Sequence, residues 1–174
     1  GLTMLLGVSD NSRQNVMIDG QEKILQWSLE ELRDPNGNSI HFQYIKDDGQ
    51  LYLEKVTYSI YEILFSYQNR QDPIVDYRYG FEVQTNLICS AIDVKRVTPA
   101  TDPIKSYRFT YQPEYFSKLS LLTGIKLFAL YLKNNVVEEI ELPDFKFGYS
   151  EFQPLSKKLE VFDNSQVPPP SLLS

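Results

Sequence analysis

The chain of 174 residues contains one histidine, one cysteine and one tryptophan, and each scarcity removes a class of chemistry. A single histidine, His41, leaves no histidine cluster. A single cysteine, Cys89, leaves no CxxC pair or mixed Cys/His metal site and no internal disulfide. No GxSxG elbow or phosphate-cradling glycine loop occurs; the eight glycines sit singly in turn-like contexts. No run approaches the ~20 apolar residues of a membrane-spanning helix. The nearest, Leu119–Leu132, is interrupted by Lys126. Lysine and arginine are scattered under a net charge of -6, which argues against a nucleic-acid surface, where clustered cations neutralise phosphates. The opening "GLTMLLGVSD" has neither an initiating methionine nor a basic signal-peptide start, and the closing "SQVPPPSLLS" is proline-rich. Both ends read as cuts in a longer polypeptide.

What is abundant is aromatic: twelve tyrosines and ten phenylalanines, set mostly among Val, Ile and Thr, the vocabulary of β-sheets. Strand patterns recur between turn signals, predicting an all-β, antiparallel meander of about nine or ten strands. "KILQWSLEEL" suits a strand around Trp27, or a short helix given its glutamates. "SIHFQY" alternates, with Ile40, Phe42 and Tyr44 on one face and His41 and Gln43 on the other. "DDG", ending at Gly49, turns the chain into "LYLEKVTY" to make a hairpin. "EILFSY" is the next strand, ended by a loop over Gln68–Pro73. "YGFEVQTNLICSAIDVKRV" is a long strand whose pattern slips at Ile88–Ala91, predicting a bulge. After the loop "TPATDP", "SYRFTY" places Tyr107, Phe109 and Tyr111 on one face. A short helix is an option near "PEYFSKLS". "SLLTGIKLFAL" and "NNVVEEIEL" form a hairpin through "KNN", and "FKFGYSEF" follows as a strand, with the proline of "LPDF" just before it. The organisation expected is an N-terminal extension or edge segment over 1–23, a β module over 24–152 and a proline-containing tether over 153–174.

The strongest catalytic candidate is "RDPNGNSIHFQY", where Asp34 precedes His41. In a catalytic reading, Asp34 orients His41 while Cys89 or a serine attacks. In the alternative, Asp34-Pro35-Asn36-Gly37 is a β-turn and His41 a residue on the polar face of a strand. The turn accounts for every residue type, so it is preferred. Nothing near Cys89 would depress a thiol pKa, so a buried strand position is expected. Exposed tyrosines and Trp27 could stack on sugars, although tyrosines at strand spacing more often pack across strands. "RDPNGN" and "KDDG" hold oxygen ligands without the spacing of a calcium loop. No catalytic, metal-binding or cofactor-binding residue is therefore expected.

"QWSLEELRDPNGNSIHFQYIKDDGQLYLEKVTY" resembles a segment of the B component of bacterial insecticidal toxin complexes and of SpvB-type virulence proteins, in which a strand leads to "D-P-x-G-N-x-I-x-Y-x-Y". The matching positions are Trp27, Asp34, Pro35, Gly37, Asn38 and Tyr44. It also resembles a degenerate tyrosine-aspartate (YD) repeat of the Rhs family, with Tyr44 and Gly49 at the Y and G positions and Ile45 where aspartate is usual. "YRYGFEVQTNLICSAIDV" is similar to "Y-x-x-G-F-E-x-R-T-x-R-L-C", carried by Tyr77, Gly80, Phe81, Glu82, Thr85, Leu87 and Cys89, with Gln84 in place of arginine. The resemblance runs from about Ile24 to Ser174 in the family's order, and "VPPPSLLS" resembles the tether before that family's β-propeller.

The resemblance implies a non-enzymatic wall segment of a hollow β-shell in a large secreted protein. That shell encloses a C-terminal effector and supports its delivery. The partners implied are the rest of the same polypeptide, including the propeller and Rhs-type repeats, and the enclosed effector; an A component or a cell-surface receptor would engage other domains. No cofactor, nucleic acid or transmembrane segment is implied. The alternatives are a carbohydrate- or cell-surface-binding β-module, and a secreted animal protein of the same layout that is not a toxin.

Overall fold

The computed structural model describes residues 1–97 and 102–150. Eleven strands run in chain order: β1 (Thr3–Leu6), β2 (Arg13–Ile18), β3 (Gln21–Trp27), β4 (Leu29–Arg33), β5 (Ser39–Asp47), β6 (Gln50–Tyr58), β7 (Tyr61–Asp76), β8 (Val83–Arg96), β9 (Asp102–Pro113), β10 (Ser120–Lys133) and β11 (Val136–Lys146), with a short 3-10 turn at Asp10–Ser12. Nine of them form one antiparallel sheet in the order β1-β4-β5-β6-β7-β8-β9-β10-β11, and β2 and β3 form a separate hairpin. The meander is thus all-β. Its first strand, β1, lies within 1–23 and pairs with β4 at the sheet's edge.

The turns follow their residues. Asp48 and Gly49 both take positive φ (43° and 79°), the geometry of a two-residue hairpin between β5 and β6. Asn134 and Asn135 (52° and 61°) do the same between β10 and β11. The predicted bulge in β8 is present, with register slipping between Ser66↔Ala91 and Tyr67↔Cys89 and leaving Ser90 unpaired.

The strand reading of "KILQWSLEEL" holds over its helical alternative, with the one difference that Ser28 divides it into β3 and β4. Several local expectations are corrected. Gln68–Pro73 does not end a strand, because β7 continues to Asp76 and its pairing with β8 skips from Asn69↔Leu87 to Ile74↔Thr85. Arg70 and Asp72 occupy that outward step, bonded to each other at 2.9 Å, and Asp72 also accepts the backbone N–H of Ser120 at 2.8 Å. A polar stretch that reads as a loop is thereby a clasp between β7 and the start of β10. The long strand begins at Val83 and not at Tyr79 or Gly80, since Tyr77–Glu82 is the connection from β7. "PEYFSKLS" forms a turn and not a helix: the Glu114 carboxylate accepts the N–H groups of Phe116 and Ser117, and Lys118 takes positive φ (60°). Pro143 lies inside β11 rather than before a new strand, at a bulge between Ile125↔Phe145 and Leu127↔Leu142. On an edge strand its missing N–H breaks no ladder. Of the expected loop "TPATDP", residues 98–101 lie outside the described residues, while Asp102 and Pro103 open β9. The expected tether, 153–174, lies wholly outside them.

The register separates two faces. One carries Leu32, Ile40, Phe42, Val56, Ile63, Phe65, Val94, Ile92, Tyr107, Leu127 and Leu142 in rows that cross the sheet through paired positions. The other carries Glu31, His41, Thr57, Glu62 and Lys95 in one such row, with the Glu62 carboxylate between Lys55 (3.7 Å) and Lys95 (3.1 Å). Among the described residues only Tyr52, Val83 and Phe128 are buried apolar side chains. The apolar face is half-buried by its own neighbours and, at β5, by the Ser9–Ser12 segment, which lines a cavity together with Phe42 and Tyr44.

Candidate functional site

Asp34 and His41 do not meet. The Asp34 carboxylate accepts the N–H groups of Asn36 (2.8 Å) and Asn38 (2.9 Å) and the Asn38 amide (2.8 Å). Those bonds, the Asn38 side chain first, hold its pKa below the usual carboxylate value. Gly37 takes φ 88° in the same turn. The His41 ring contacts the Ser39 hydroxyl at 3.0 Å on the exposed side of β5. No carboxylate hydrogen-bonds that ring among the described residues, so the pair lacks the third group that would make the serine a nucleophile. Among the described residues no group of three or more His, Cys, Asp or Glu is arranged to hold a metal ion.

Trp27 ends β3 and lies against Gly7, where an added Cβ would sit 2.2 Å from Trp27 Cδ1. Gly49 gives its carbonyl to the Gln14 amide at 2.8 Å. The Asp48 carbonyl next to it accepts the Gln84 N–H at 3.1 Å, so the β5–β6 tip is held by the β2–β3 hairpin and by β8. Tyr77, Gly80, Phe81 and Glu82 form the β7–β8 turn, with the Tyr77 hydroxyl on the Glu82 carboxylate and Gly80 N–H on the Tyr77 carbonyl at 3.0 Å. Thr85 follows, paired with Ile74. These motif residues make turns and close contacts; they do not converge on one pocket.

Tyr44 and Cys89 belong to a device that crosses the whole sheet. Four tyrosine hydroxyls each donate to a main-chain carbonyl of the preceding strand: Tyr44 to Leu29 (2.7 Å), Tyr67 to Leu53 (2.7 Å), Tyr111 to Cys89 (2.8 Å) and Tyr149 to Leu122 (2.8 Å). In every case the residue after the acceptor is a bulge, skipped in the pairing with the strand on the other side: Glu30, Glu54, Ser90 and Thr123. On the tyrosine's side, backbone pairing of the bulged strand stops at the following residue, Glu31, Lys55, Ala91 or Gly124. The strands part there, the acceptor carbonyl loses its ladder partner, and the tyrosine hydroxyl replaces it. A buried carbonyl left without such a donor would cost about 1–3 kcal/mol.

Burial, first of all causes, raises the pKa of Tyr44, Tyr67 and Tyr111, that of Tyr67 to about 12. These hydroxyls therefore stay protonated and donate across the physiological range. Tyr67 is also packed edge-on against Tyr52, ring centroids 5.2 Å apart. Burial likewise raises the Cys89 thiol above its ordinary value, which leaves it a poor nucleophile. At the first rung the bulged Glu30 is used again: its carboxylate accepts the Ser9 N–H (2.8 Å) and the Ser12 hydroxyl (2.6 Å), and the Ser12 bond above all lowers its pKa.

The sequence signal for this device is plain once the geometry is known. Each tyrosine ends a Phe-x-Tyr triplet, Phe42–Tyr44, Phe65–Tyr67, Phe109–Tyr111 and Phe147–Tyr149, and the pattern occurs nowhere else in the chain. The uneven spacing of the four triplets hides them from a search for fixed-period repeats. Beyond the edge strand β1, the sheet is a two-strand unit repeated four times.

The first 62 residues match the family model described as Salmonella virulence plasmid 65kDa B protein, SpvB. The match takes in residues 1–23, ahead of the region where the sequence motifs resemble that family. Among solved structures, the N-terminal domain of effector protein SpvB from Salmonella typhimurium strain LT2 is similar, with a TM-score of 0.53, 16% identity, and coverage of 85% of this chain and 59% of that chain. At that identity the likeness is one of fold. The chain spans 59% of the length of that SpvB structure. No curated protein matches it.

Proposed function

We propose that the chain is a non-enzymatic wall segment of a larger, secreted, SpvB/Tc/Rhs-like β-shell that encloses a C-terminal effector and supports its delivery. The observation that carries this reading is the four-rung tyrosine ladder. It is a nearest-neighbour device that extends a sheet sideways without limit, as a wall requires. The amphipathic register supports it, because a single sheet with one face of Leu, Ile, Val and Phe needs cover on that side. Cover would come from the rest of the same polypeptide and from the enclosed effector, while the lysine- and glutamate-bearing face meets solvent.

The test uses the long polypeptide that contains this segment together with its effector. Limited proteolysis should spare the effector in the native protein and cleave it when Tyr44, Tyr67 and Tyr111 are all changed to Phe. Equal protection in both would remove the wall role. Loss of a measurable catalytic activity on His41→Ala, with folding intact, would refute the non-enzymatic part.

A further inference from the structure

β5, β6 and the turns beside them bring Ser39, His41, Thr57 and Ser59 to one cleft. Ser39 and His41 are two residues apart on β5 and so share a face, with the Ser39 hydroxyl 3.0 Å from the His41 ring. Thr57 of β6 pairs with His41. Ser59 follows in the β6–β7 turn, where it takes positive φ (54°). With Gly37 and Asn38 of the preceding turn, and with Tyr58, these residues line a cavity of about 310 Å³, which reaches the lower end of the range of small-molecule clefts, about 300–1,000 Å³.

The chemistry of the lining selects the ligand. Among the described residues no lysine, arginine, aspartate or glutamate lines the cavity, and the charged groups of the neighbouring positions are already matched. Arg33, paired in the ladder with Ser39, donates to Glu31 through Nε (2.8 Å) and Nη2 (2.6 Å). Glu62, paired with Thr57, lies between Lys55 and Lys95, and Asp34 accepts the N–H groups of its own turn. An anion or a metal cation therefore meets no uncommitted charge there. An extended peptide cannot add as a strand either, because β5 lies between β4 and β6, and β6 between β5 and β7. What the cleft offers is hydroxyls and an imidazole ring, groups that can donate as well as accept. Asn38 gives its amide N–H to Asp34 and keeps its carbonyl oxygen as an acceptor. We propose that this cleft binds a neutral saccharide, one sugar unit held by Ser39, His41, Thr57 and Ser59. The cleft is separate from the tyrosine ladder, so binding there does not depend on the wall role.

His41 is the one histidine in the chain, so its ring C2 proton is a single resolved reporter in an NMR titration. Titrating the full chain with the methyl glycosides of glucose, galactose and N-acetylglucosamine should move that signal saturably for at least one of them, whereas glycerol moves it only linearly. Thr57→Val and Ser39→Ala each remove one hydroxyl and should weaken the binding about fivefold or more, the loss of one neutral hydrogen bond. Thr57→Ser, which keeps the hydroxyl, should retain it, and so should Ser66→Ala, at an exposed serine outside the cleft. Near-UV circular dichroism checks that each variant keeps the sheet. Linear shifts with all three glycosides overturn the proposal. So does saturable binding that Thr57→Val and Ser39→Ala leave unchanged, which places the sugar elsewhere. Saturation by N-acetylneuraminic acid alone also overturns it, because recognition then rests on a charge such as Arg33.

Discussion

Replacing Tyr67 by phenylalanine removes one oxygen and nothing else. The ring keeps its edge-on contact with Tyr52 at 5.2 Å, so the loss is confined to the hydrogen bond to the Leu53 carbonyl at 2.7 Å. A typical intramolecular hydrogen bond contributes a net of about 1 kcal/mol, and the carbonyl left behind adds a desolvation penalty, which sets the expected loss at about 1–2 kcal/mol. Tyr149→Phe is the internal control: its hydroxyl makes the same bond, but the residue is 52% exposed and water can take its place. That change should cost less than about 0.5 kcal/mol. Urea titration measures both, as a shift in midpoint at constant slope. The pH dependence gives a second readout. The folded-state pKa of Tyr67 is raised from 10.0 to about 12, so the unfolded chain releases its phenolic proton first. The stability from this group is complete below pH 10 and is lost as pH rises towards about 12. The parent should therefore lose stability across that window more steeply than Tyr67→Phe. Equal costs for Tyr67→Phe and Tyr149→Phe, with identical alkaline profiles, would refute the ladder as a source of stability.

The Asp72 clasp should behave oppositely with pH. Burial alone would raise its carboxyl pKa, but hydrogen bonds from Arg70 and Ser120 outweigh burial and hold it well below 3.8, so its contribution is present above pH 4 and is lost as pH falls further. Asp72→Ala should cost about 2–3 kcal/mol in urea titration and flatten that acid limb. Gly7→Ala meets both a left-handed φ of 57° and Trp27 Cδ1 at 2.2 Å; it should cost about 2 kcal/mol or more, with part recovered in Gly7→Ala/Trp27→Ala by a double-mutant cycle. His41→Ala, at an exposed strand position with one contact to Ser39, should stay within about 0.5 kcal/mol of the parent.

How much of this was legible depended on the range over which each signal acts. Turns decided by two or four adjacent residues could be read directly: Asp48-Gly49, Asn134-Asn135 and the Asp34–Asn38 turn all follow from left-handed tolerance and short polar side chains. Pairing that depends on a distant strand could not. "QNRQDP" has loop composition, yet it stays within β7 because Asp72 finds Ser120, which is 48 positions away in sequence. Pro143 suggested a strand start, but an edge strand tolerates it mid-course. Cys89 and Tyr44 were singled out for their resemblance to a family pattern, whereas their physical role is to give and fill a bulge carbonyl. The same role at Tyr67, Tyr111 and Tyr149 escaped notice because the loops between triplets differ in length.

The ladder also explains how so thin a structure holds its register. A one-residue slip in any strand would turn the apolar face to the polar side, and with three buried apolar side chains among the described residues the sheet has little core packing to resist it. A bulge closed by a tyrosine from the next unit is a register lock, since the hydroxyl reaches one carbonyl and no other at 2.7–2.8 Å. Each lock is made between neighbouring strands only, so stability accumulates unit by unit along the sheet. Interior rungs are braced on both sides and edge rungs on one. Among the described residues the Phe147–Tyr149 rung is braced on one side only, which leaves Tyr149 52% exposed and makes its hydroxyl the least costly of the four to remove.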